Sequence, residues 1–243
     1  MKINKDVEIL EGLPLLYIKS LDALVCADLH LGYEGVMAER GIFLPKANLA
    51  KIEQITKNAK EATNAHSIIV AGDIKNEFSE VHVEEFNEFK EFVEFLRSIG
   101  IDNVLLIKGN HDNFIDKYKN AFKIQIYRQE ALFGKYLIFH GEENPHEKGE
   151  FLIMGHVHPA IAVFDKIGEK EKLRCFLYGK TANGKSIVIL PAMNYYVESV
   201  EVNIEDVSEL SPVFNGLVNI NKLKALCIGE GETLDFGEIE DLR

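Results

Sequence analysis

Short apolar runs that end in a small residue and then in polar side chains recur along the chain. In one of them, residues 104–107 lead through Gly109 into Asn110, His111 and Asp112. β-Branched and other apolar residues followed by glycine are typical of a buried strand that passes into a tight loop. The same pattern occurs at residues 25–30, 68–73, 136–140 and 151–158. Because open α/β folds bind ligands at the carboxyl ends of their strands, we expect these five ends to form one site.

Helical periodicity separates the early strands. Pro45 is expected in the first turn of a helix, where its missing N–H costs nothing. The apolar stripe of this helix would consist of Ile52, Ile55 and Ala59. A second helix is predicted over residues 80–98, with Gly100 just past its end. Its apolar stripe contains Phe86, Phe89, Val93 and Leu96. Its acidic face is predicted to be solvated and contains Glu84, Glu85, Glu88 and Glu91.

The rest of the chain has the pattern of short strands. Residues 7–27 contain two apolar runs with the spacing of a β-hairpin. After residue 120, apolar runs of a few residues alternate with close turns, and Asn183-Gly184 is the strongest hairpin signal. Residues 197–243 contain further short β-like runs without a catalytic pattern. We therefore predict one α/β (α+β) domain over residues 1–243, with two packed mixed β-sheets and helices outside.

Composition places the chain among globular proteins of a reducing compartment. Of its 243 residues 47% are hydrophobic, and none of the apolar runs reaches the roughly 18 residues of a membrane helix. Residues 1–6 lack the apolar core of a signal peptide, so a cytoplasmic location without membrane association is expected. Cys26, Cys175 and Cys227 follow no pairing pattern and are predicted to be reduced and buried.

The net charge of −12 disfavours extended, nonspecific binding to nucleic acid, which requires a basic face. Lysines do cluster within residues 166–185. Part of the acidic excess consists of carboxylates that a bound metal ion would neutralise. A local contact with nucleic acid therefore remains open.

Seven of the side chains at the five strand ends are typical metal ligands. They are Asp28, His30, Asp73, Asn110, His140, His156 and His158. Carboxylates, imidazoles and one amide oxygen, without a thiolate, suit Mn, Fe, Zn, Co or Ni rather than Ca, and we expect Mn first. Seven ligands are too many for one tetrahedral zinc, so two ions that share a carboxylate are predicted. Two ions about 3.5–4 Å apart stabilise in-line displacement at phosphorus and generate a bridging hydroxide at neutral pH.

The five blocks together resemble the calcineurin-like metallophosphoesterase family. They are Asp28-Leu29-His30, Gly72-Asp73, Gly109-Asn110-His111-Asp112, His140-Gly141 and Gly155-His156-Val157-His158. Each block alone is weak, but all five occur in the family's order. The resemblance implies a four-layer αββα sandwich with a two-metal site at the strand ends.

The resemblance also implies a role for each residue. The first ion would be held by Asp28, His30, Asp73 and His158. The second would be held by Asp73 as the bridge, Asn110, His140 and His156. His111 would not bind metal but would stabilise the transition state or protonate the leaving oxygen, with Asp112 orienting it. A general acid of this kind contributes about 10²–10⁴ in rate.

The second block departs from the family pattern, and this bears on substrate. Many members read Gly-Asp-x-x-Asp, whereas this chain reads Gly72-Asp73-Ile74-Lys75-Asn76. The bridging carboxylate is kept, and Lys75 or Asn76 is expected either to face substrate or to have an ordinary loop role.

The stretch over residues 33–45 is similar to archaeal phosphoesterases related to SbcD and to the bacterial ligase-associated nuclease PdeM. This similarity implies a phosphodiester substrate, with DNA or RNA among the candidates. Arg40 is the best candidate for a phosphate contact, the alternative being a salt-bridged surface arginine. Tyr33 would either stack on a base or belong to the core or rim.

Three functions follow from these observations. The first is a two-metal phosphodiesterase, including a nuclease acting on nucleic acid. The second is a phosphomonoesterase acting on small molecules or phosphoproteins, which would share the same site. The third is a metal-binding scaffold without activity, which the presence of His111 and of every matched ligand disfavours.

Overall fold

The first sheet carries the helices on its outer face. The computed structural model describes residues 1–78, 82–146 and 148–243. In spatial order this sheet contains β1 (Val7–Ile9), β2 (Leu16–Ile18), β3 (Ala23–Cys26), β4 (Ser67–Ala71), β5 (Asn103–Ile107) and β6 (Gln125–Tyr127). The first three strands are antiparallel, which confirms the hairpin predicted over residues 7–27. Strands β3 to β6 are parallel, so their carboxyl ends lie along one edge.

The second sheet is also mixed, as predicted. In chain order its strands are β7 (Glu130–Phe133), β8 (Tyr136–Phe139), β9 (Phe151–Met154), β10 (Pro159–Phe164), β11 (Lys170–Lys180), β12 (Ser186–Ile189), β13 (Val200–Glu201), β14 (Lys224–Ile228) and β15 (Thr233–Glu238). Strands β8, β9 and β12 are parallel to one another. Strand β11 pairs antiparallel with β10, β12 and β14. The β11–β12 pair encloses Asn183-Gly184, which confirms the predicted turn.

Within the described residues the α-helices are α1 (Tyr33–Glu39), α2 (Asn48–Thr63), α3 (Val83–Ser98) and α4 (Tyr118–Phe122). The apolar stripes of α2 and α3 pack on the first sheet, where Ile52 and Phe89 share a core cluster with Ile68. The predicted start of α3 at residue 80 lies outside the described residues. None of the helices that the structure describes combines the length and the apolar character needed to cross a bilayer.

Two predictions about these helices are wrong. Pro45 does not open α2, which begins at Asn48, because the Glu34 carboxylate accepts the N–H groups of Ala47 and Asn48 (3.1 and 2.9 Å) and caps the helix there. The acidic face of α3 is not uniformly solvated, since Glu85 is only 1% exposed. Its carboxylate instead accepts backbone N–H groups of the preceding loop.

In the described residues, buried apolar side chains form three core clusters, one between the two sheets and one on the outer face of each sheet. Apolar residues such as Val25, Ile69 and Ile153 fill the space between the sheets. The outer face of the second sheet is covered by residues of the last third of the chain, including Val213 and Ile220. After the helices and the two sheets, this face forms the fourth layer of the fold. It consists of irregular chain and of short 3-10 helices, Pro212–Phe214, Ile220–Lys222 and Ile239–Leu242. Proline, glycine and asparagine are frequent in residues 211–221, and these residues disfavour longer helices.

The three cysteines lie where the sequence predicts them. Cys26, Cys175 and Cys227 are all buried and all free. Burial raises the pKa of the Cys26 thiol well above its usual range, so it is a core side chain rather than a nucleophile. The organisation of residues 1–243 as one domain stays a prediction.

Candidate metal centre

The five strand ends converge at one edge of the two sheets. Three of them follow β3, β4 and β5 of the first sheet, and two follow β8 and β9 of the second. The loops after β3 and β4 are joined by backbone bonds from Asp28 to Gly72 (3.0 Å) and from His30 to Asp73 (2.9 Å). In the second sheet the Gly155 N–H donates to the His140 carbonyl (2.9 Å). Residues far apart in the chain are thereby held side by side.

Several candidate ligands at this edge have backbone φ angles in the left-handed region. Five of the seven candidate ligands adopt positive φ angles, namely Asp28 (58°), His30 (41°), Asp73 (50°), His156 (70°) and His158 (46°). The left-handed region is uncommon for residues other than glycine and costs energy at each position. Such strain clustered in one place is typical of a functional site, because the surrounding structure must hold it.

Two glycines provide the space in which the ligands approach one another. A Cβ atom added at Gly72 would lie 2.1 Å from Nδ1 of His140, and one at Gly109 would lie 2.2 Å from Oδ1 of Asp73. Both distances are far below van der Waals contact. The glycines of the second and third blocks are therefore required by the site itself.

Nitrogen and oxygen donors at the edge form three overlapping groups, each spanning at most 4.8 Å. The groups are Asp28 with His30 and His158, His30 with Asp73 and His111, and Asp73 with His140 and His156. Asp73 belongs to two of the groups, as expected for a shared carboxylate. The structure thus brings together the carboxylates and imidazoles that the sequence singles out.

Around His140 the donors are closest. Its Nε2 lies 3.2 Å from Oδ1 of Asn110, 3.2 Å from Oδ2 of Asp73 and 3.1 Å from Nδ1 of His156. Around Asp28 the spacing is wider, with 3.6 Å to Nε2 of His158. These two clusters correspond to the two ligand sets implied by the resemblance, and the assignment of each residue to an ion stays a prediction.

The ring nitrogens that face away from the clusters are held by backbone carbonyls. These bonds run from His140 Nδ1 to Ala71 (2.9 Å), from His156 Nε2 to Leu210 (3.0 Å) and from His158 Nδ1 to Glu198 (3.1 Å). A carbonyl only accepts, so each of these nitrogens carries the hydrogen. The opposite nitrogen of each neutral ring therefore presents a lone pair to its cluster, as metal-binding histidines do.

This arrangement fits a bound cation. In the cluster around His140, the Asn110 amide oxygen, the Asp73 carboxylate and Nδ1 of His156 all lie 3.1–3.2 Å from Nε2 of the His140 ring. Without a proton or a metal ion between them these groups repel. Nitrogen and oxygen donors of this kind suit divalent transition metals.

Burial and charge set the proton affinities of the metal-free groups. Burial alone would raise the pKa of Asp73, but the neighbouring imidazoles, His140 above all, hold it well below its usual range. Burial would lower the pKa of His140, and the carboxylates of Asp73 and Asp28 outweigh it and raise it to about 10. Burial lowers the pKa of His30 to about 3, so this ring is neutral and available to a metal.

His111 lies beside the clusters, with a side chain that is 17% exposed. Its Nδ1 donates to the Asn76 carbonyl, and its backbone N–H donates to Oδ1 of Asp73 (3.0 Å). The prediction that Asp112 orients the His111 ring is wrong. Asp112 accepts instead the N–H groups of Ile74 (2.9 Å), Lys75 (3.3 Å) and Gly109 (2.9 Å). The hydrogen bond from Nδ1 of His111, expected to go to the Asp112 carboxylate, goes to the backbone carbonyl of Asn76.

The residues considered as substrate contacts, Lys75, Arg40 and Asn76, differ in their exposure and in their partners. Lys75 is buried, with Glu85 and Asp112 as nearby charges, which favours the ordinary loop role over a contact with substrate. The Arg40 side chain is 63% exposed and lies 3.7 Å from the Glu77 carboxylate. The contact of Asn76 with His111 is made by its backbone, and a substrate contact of its side chain stays a prediction.

Sequence reasoning missed residues that position the site. The Asn194 amide donates to the carbonyls of Leu29 and His30 (both 3.2 Å) and holds the first ligand loop. The Phe78 ring lies over His111 with 3.6 Å between ring centroids and is 48% exposed. An isolated asparagine or phenylalanine carries no sequence signal for such a role. Likewise, the carbonyls of Leu210 and Glu198 belong to a region without any catalytic pattern.

Comparison with known proteins identifies a family and similar structures. The family model of the calcineurin-like phosphoesterases matches residues 21–179. The crystal structure of the Pseudomonas putida nuclease MPE is similar with a TM-score of 0.63 and 18% identity over 93% of both chains. YfcE, a phosphoesterase from E. coli, is similar with a TM-score of 0.43 and 15% identity, over 89% of this chain and 98% of that one. No curated protein matches significantly.

The nuclease structure supports the fold, and the family model covers well over half of the chain and all five ligand blocks. Members of this family bind divalent metal ions and hydrolyse phosphate esters. The chain belongs to the calcineurin-like phosphoesterase family and is a metal-dependent hydrolase of phosphate ester bonds.

Proposed function

We propose that this hydrolase is a phosphodiesterase that uses two divalent metal ions. The observation that carries the proposal is the set of three overlapping donor groups among the described residues, two of which contain Asp73. A carboxylate with one oxygen near three imidazoles (3.8, 3.7 and 3.2 Å to His30, His111 and His140) is suited to bridge two cations. The donor set contains oxygen and nitrogen without sulfur, and we propose Mn first, with Fe, Zn, Co or Ni as alternatives.

The protein groups have separable tasks in this mechanism. When bound, the cations would supply Lewis-acid stabilisation of the phosphoryl oxygens and a nucleophile at neutral pH. Asp28, His30, Asp73 and His158 would hold one, and Asp73, Asn110, His140 and His156 the other. The carbonyls behind His140, His156 and His158 fix the tautomers of these three rings, so less reorganisation accompanies binding.

His111 would protonate the leaving oxygen. Its Nδ1 is occupied by the Asn76 carbonyl, and Nε2 lies 3.7 Å from the shared Asp73 carboxylate at the edge of both clusters. A proton on Nε2 is therefore placed beside the reacting centre, where a general acid accelerates departure of a poor leaving group.

The surface around His111 favours a diester with an aromatic part. The exposed face of Phe78 beside His111 offers a stacking platform, which a bare phosphate does not need and a nucleobase does. The structural neighbour described as a nuclease supports the same substrate class. We propose DNA or RNA as the substrate through such local contacts, because a net charge of −12 offers no general attraction. Arg40 would contact phosphate only after exchanging its Glu77 partner.

A paired hydrolysis assay tests the diesterase proposal. With Mn²⁺ present, bis(4-nitrophenyl) phosphate should be cleaved with a higher kcat/KM than 4-nitrophenyl phosphate. Both substrates release the same chromophore, so leaving-group chemistry is matched. A higher kcat/KM for the monoester would overturn the diesterase proposal in favour of a phosphomonoesterase. Cleavage of single-stranded DNA, duplex DNA, RNA and cyclic dinucleotides then identifies the class of diester.

A further inference from the structure

The loop over residues 74–77, between the shared carboxylate and Phe78, is held by two buried side chains. Its four consecutive N–H groups donate to two carboxylates. Ile74 and Lys75 donate to Asp112 (2.9 and 3.3 Å), and Asn76 and Glu77 donate to Glu85 (2.9 and 2.6 Å). Asp112 is 0% and Glu85 is 1% exposed. Each of the four N–H groups thus has a buried acceptor, so the loop is fixed along its whole length.

One peptide unit of the loop connects Glu85 with His111. The Glu77 N–H donates to Oε1 of Glu85, and the Asn76 carbonyl accepts from Nδ1 of His111. This N–H and this carbonyl belong to the same planar peptide group, in which they point in opposite directions. Fixing the N–H therefore fixes the direction of the carbonyl and, through it, the plane of the His111 ring.

The Glu85 side chain has no freedom to move. Its second oxygen accepts the N–H of His82 (3.0 Å) at the start of α3, so both oxygens are occupied. A Cβ atom at Gly32 would lie 2.4 Å from Cγ of Glu85, so the chain keeps a glycine where this side chain passes. Packing and hydrogen bonds together hold Glu85 in one position.

We infer that Glu85 is a positioning residue, which aims the His111 imidazole at the leaving oxygen through the Asn76–Glu77 peptide. This inference rests on the proposed role of His111. Glu85 lies on α3, outside the three donor groups, so its replacement does not remove a metal ligand. Asp112 fixes the other half of the loop but follows Asn110 and His111 directly, so Glu85 gives the cleaner test.

Two substitutions distinguish the effect of the position of the Glu85 oxygens from the effect of the Glu85 charge. Glu85→Gln keeps an oxygen that accepts both N–H groups but removes the charge. Glu85→Asp keeps the charge but withdraws the oxygen by one methylene. Glu84→Gln is the matched control, because Glu84 lies on the same helical turn and pairs with Lys46 instead of the loop.

The substrates are the 4-nitrophenyl and the unsubstituted phenyl ester of thymidine 5′-phosphate, assayed with Mn²⁺. Only the phenolate is a poor enough leaving group to depend on protonation. Glu85→Asp should lower kcat on the phenyl ester about 10–100-fold, as expected for a misplaced catalytic group, and change the nitrophenyl rate much less. KM and metal content should stay unchanged, and Glu85→Gln and Glu84→Gln should behave like the unmodified protein.

Comparison with His111→Asn completes the experiment. If Glu85 acts through His111, the double variant Glu85→Asp/His111→Asn should be no slower on the phenyl ester than His111→Asn alone. Additive losses, equal losses on both esters, or a Gln variant as slow as the Asp variant would overturn the inference. Glu85→Ala provides a second truncation should the Asp variant not fold. Full activity of His111→Asn would instead overturn the proposed role of His111 itself.

Discussion

Two sets of buried carboxylates lie within a short distance of each other and have different partners. Asp28 and Asp73 each accept one backbone N–H, from His156 and His111, and in addition face imidazole nitrogens of the donor clusters. Asp112, Glu85 and Glu34 accept backbone N–H groups of loops and of a helix end and face no cluster of imidazoles among the described contacts. All five are less than 5% exposed, so burial does not distinguish them. The partner of a buried acid, rather than its depth, indicates whether it serves chemistry or position.

The difference has an energetic basis. Two or three N–H bonds stabilise a buried carboxylate in place of a cation, although burial and the nearby Asp73 charge still raise the pKa of Asp112 to about 7. A carboxylate that also faces several imidazole nitrogens gains more from a proton or a metal ion placed between them. We therefore expect the first set to control metal binding and the second to control stability and the placement of loops.

Replacement of the shared carboxylate should have the largest effect. Asp73→Asn removes the charge common to two donor groups. We expect the bound metal to fall below two ions per chain and kcat on bis(4-nitrophenyl) phosphate to fall at least about 10³-fold, because several kcal/mol of Lewis-acid stabilisation are lost. Metal analysis after gel filtration and steady-state kinetics measure both.

A suitable control for this change is Asp22→Asn. Asp22 also has a positive φ angle (47°) and bonds to His66 (2.7 Å), but it lies outside the donor groups. It should keep full activity and metal content. An Asp73→Asn protein with two ions and normal kcat would remove Asp73 from the bridging position.

The opposite result is expected for Asp112→Ala. The change leaves three buried N–H groups without their acceptor and should cost about 3–5 kcal/mol of unfolding free energy, at 1–3 kcal/mol per unsatisfied group with partial relaxation. Metal content should persist, since no predicted ligand is removed. Urea unfolding of the metal-free protein gives the free energy, and metal analysis of the folded protein gives the ion content.

Asp112→Asn tests the same explanation with a smaller change. One amide oxygen can still accept from Ile74 and Lys75, so the loss should be confined to the Gly109 bond. Its cost should be smaller than that of the alanine variant. Equal destabilisation by the two variants, or loss of metal from a stable Asp112→Ala protein, would place Asp112 with the metal ligands instead.

The fold could be predicted from sequence wherever side chains determine it. Apolar runs and the Asn183-Gly184 turn indicated the strands, and the family resemblance indicated how the sheets pack. The candidate ligands were visible because their side chains are unusual after a buried strand. Their roles at individual ions remain predictions, although the structure brings them together.

The contacts that the sequence does not indicate are hydrogen bonds made by backbone groups. The carbonyls of Ala71, Leu210 and Glu198 hold three histidines, and that of Asn76 holds a fourth, yet any residue type supplies a carbonyl. For the same reason the sequence suggests a pair between Asp112 and the adjacent His111. The Asp112 oxygens in fact accept N–H groups that only folding brings near. Glu85 looked like a surface residue because its partners precede its helix.

Glu88 provides the mildest test of the distinction between the two sets. It accepts the Gly32 N–H (2.7 Å) on the helix side of the molecule. Burial raises the pKa of Glu88 from 4.5 to about 7, the Gly32 N–H opposes this shift, and the nearby Glu34 and Glu84 charges add to it. Since the folded protein binds this proton more tightly than the unfolded chain, the stabilisation is present below pH 4.5 and is lost as the pH rises through 7. Glu88→Gln keeps the acceptor and removes the ionisation.

The Gln variant should therefore be more stable than the unmodified protein at pH 8 and equally stable at pH 4.5. After allowance for the partial exposure of this side chain, the difference at pH 8 should be about 1 kcal/mol, or about 2–4 °C in Tm. Thermal unfolding of the metal-free proteins in a chelating buffer measures this difference across the pH range. Glu91→Gln, at an exposed position on the same helix, is the matched control. A pH-independent difference for Glu88→Gln would mean that folding does not raise the pKa of the Glu88 carboxyl group.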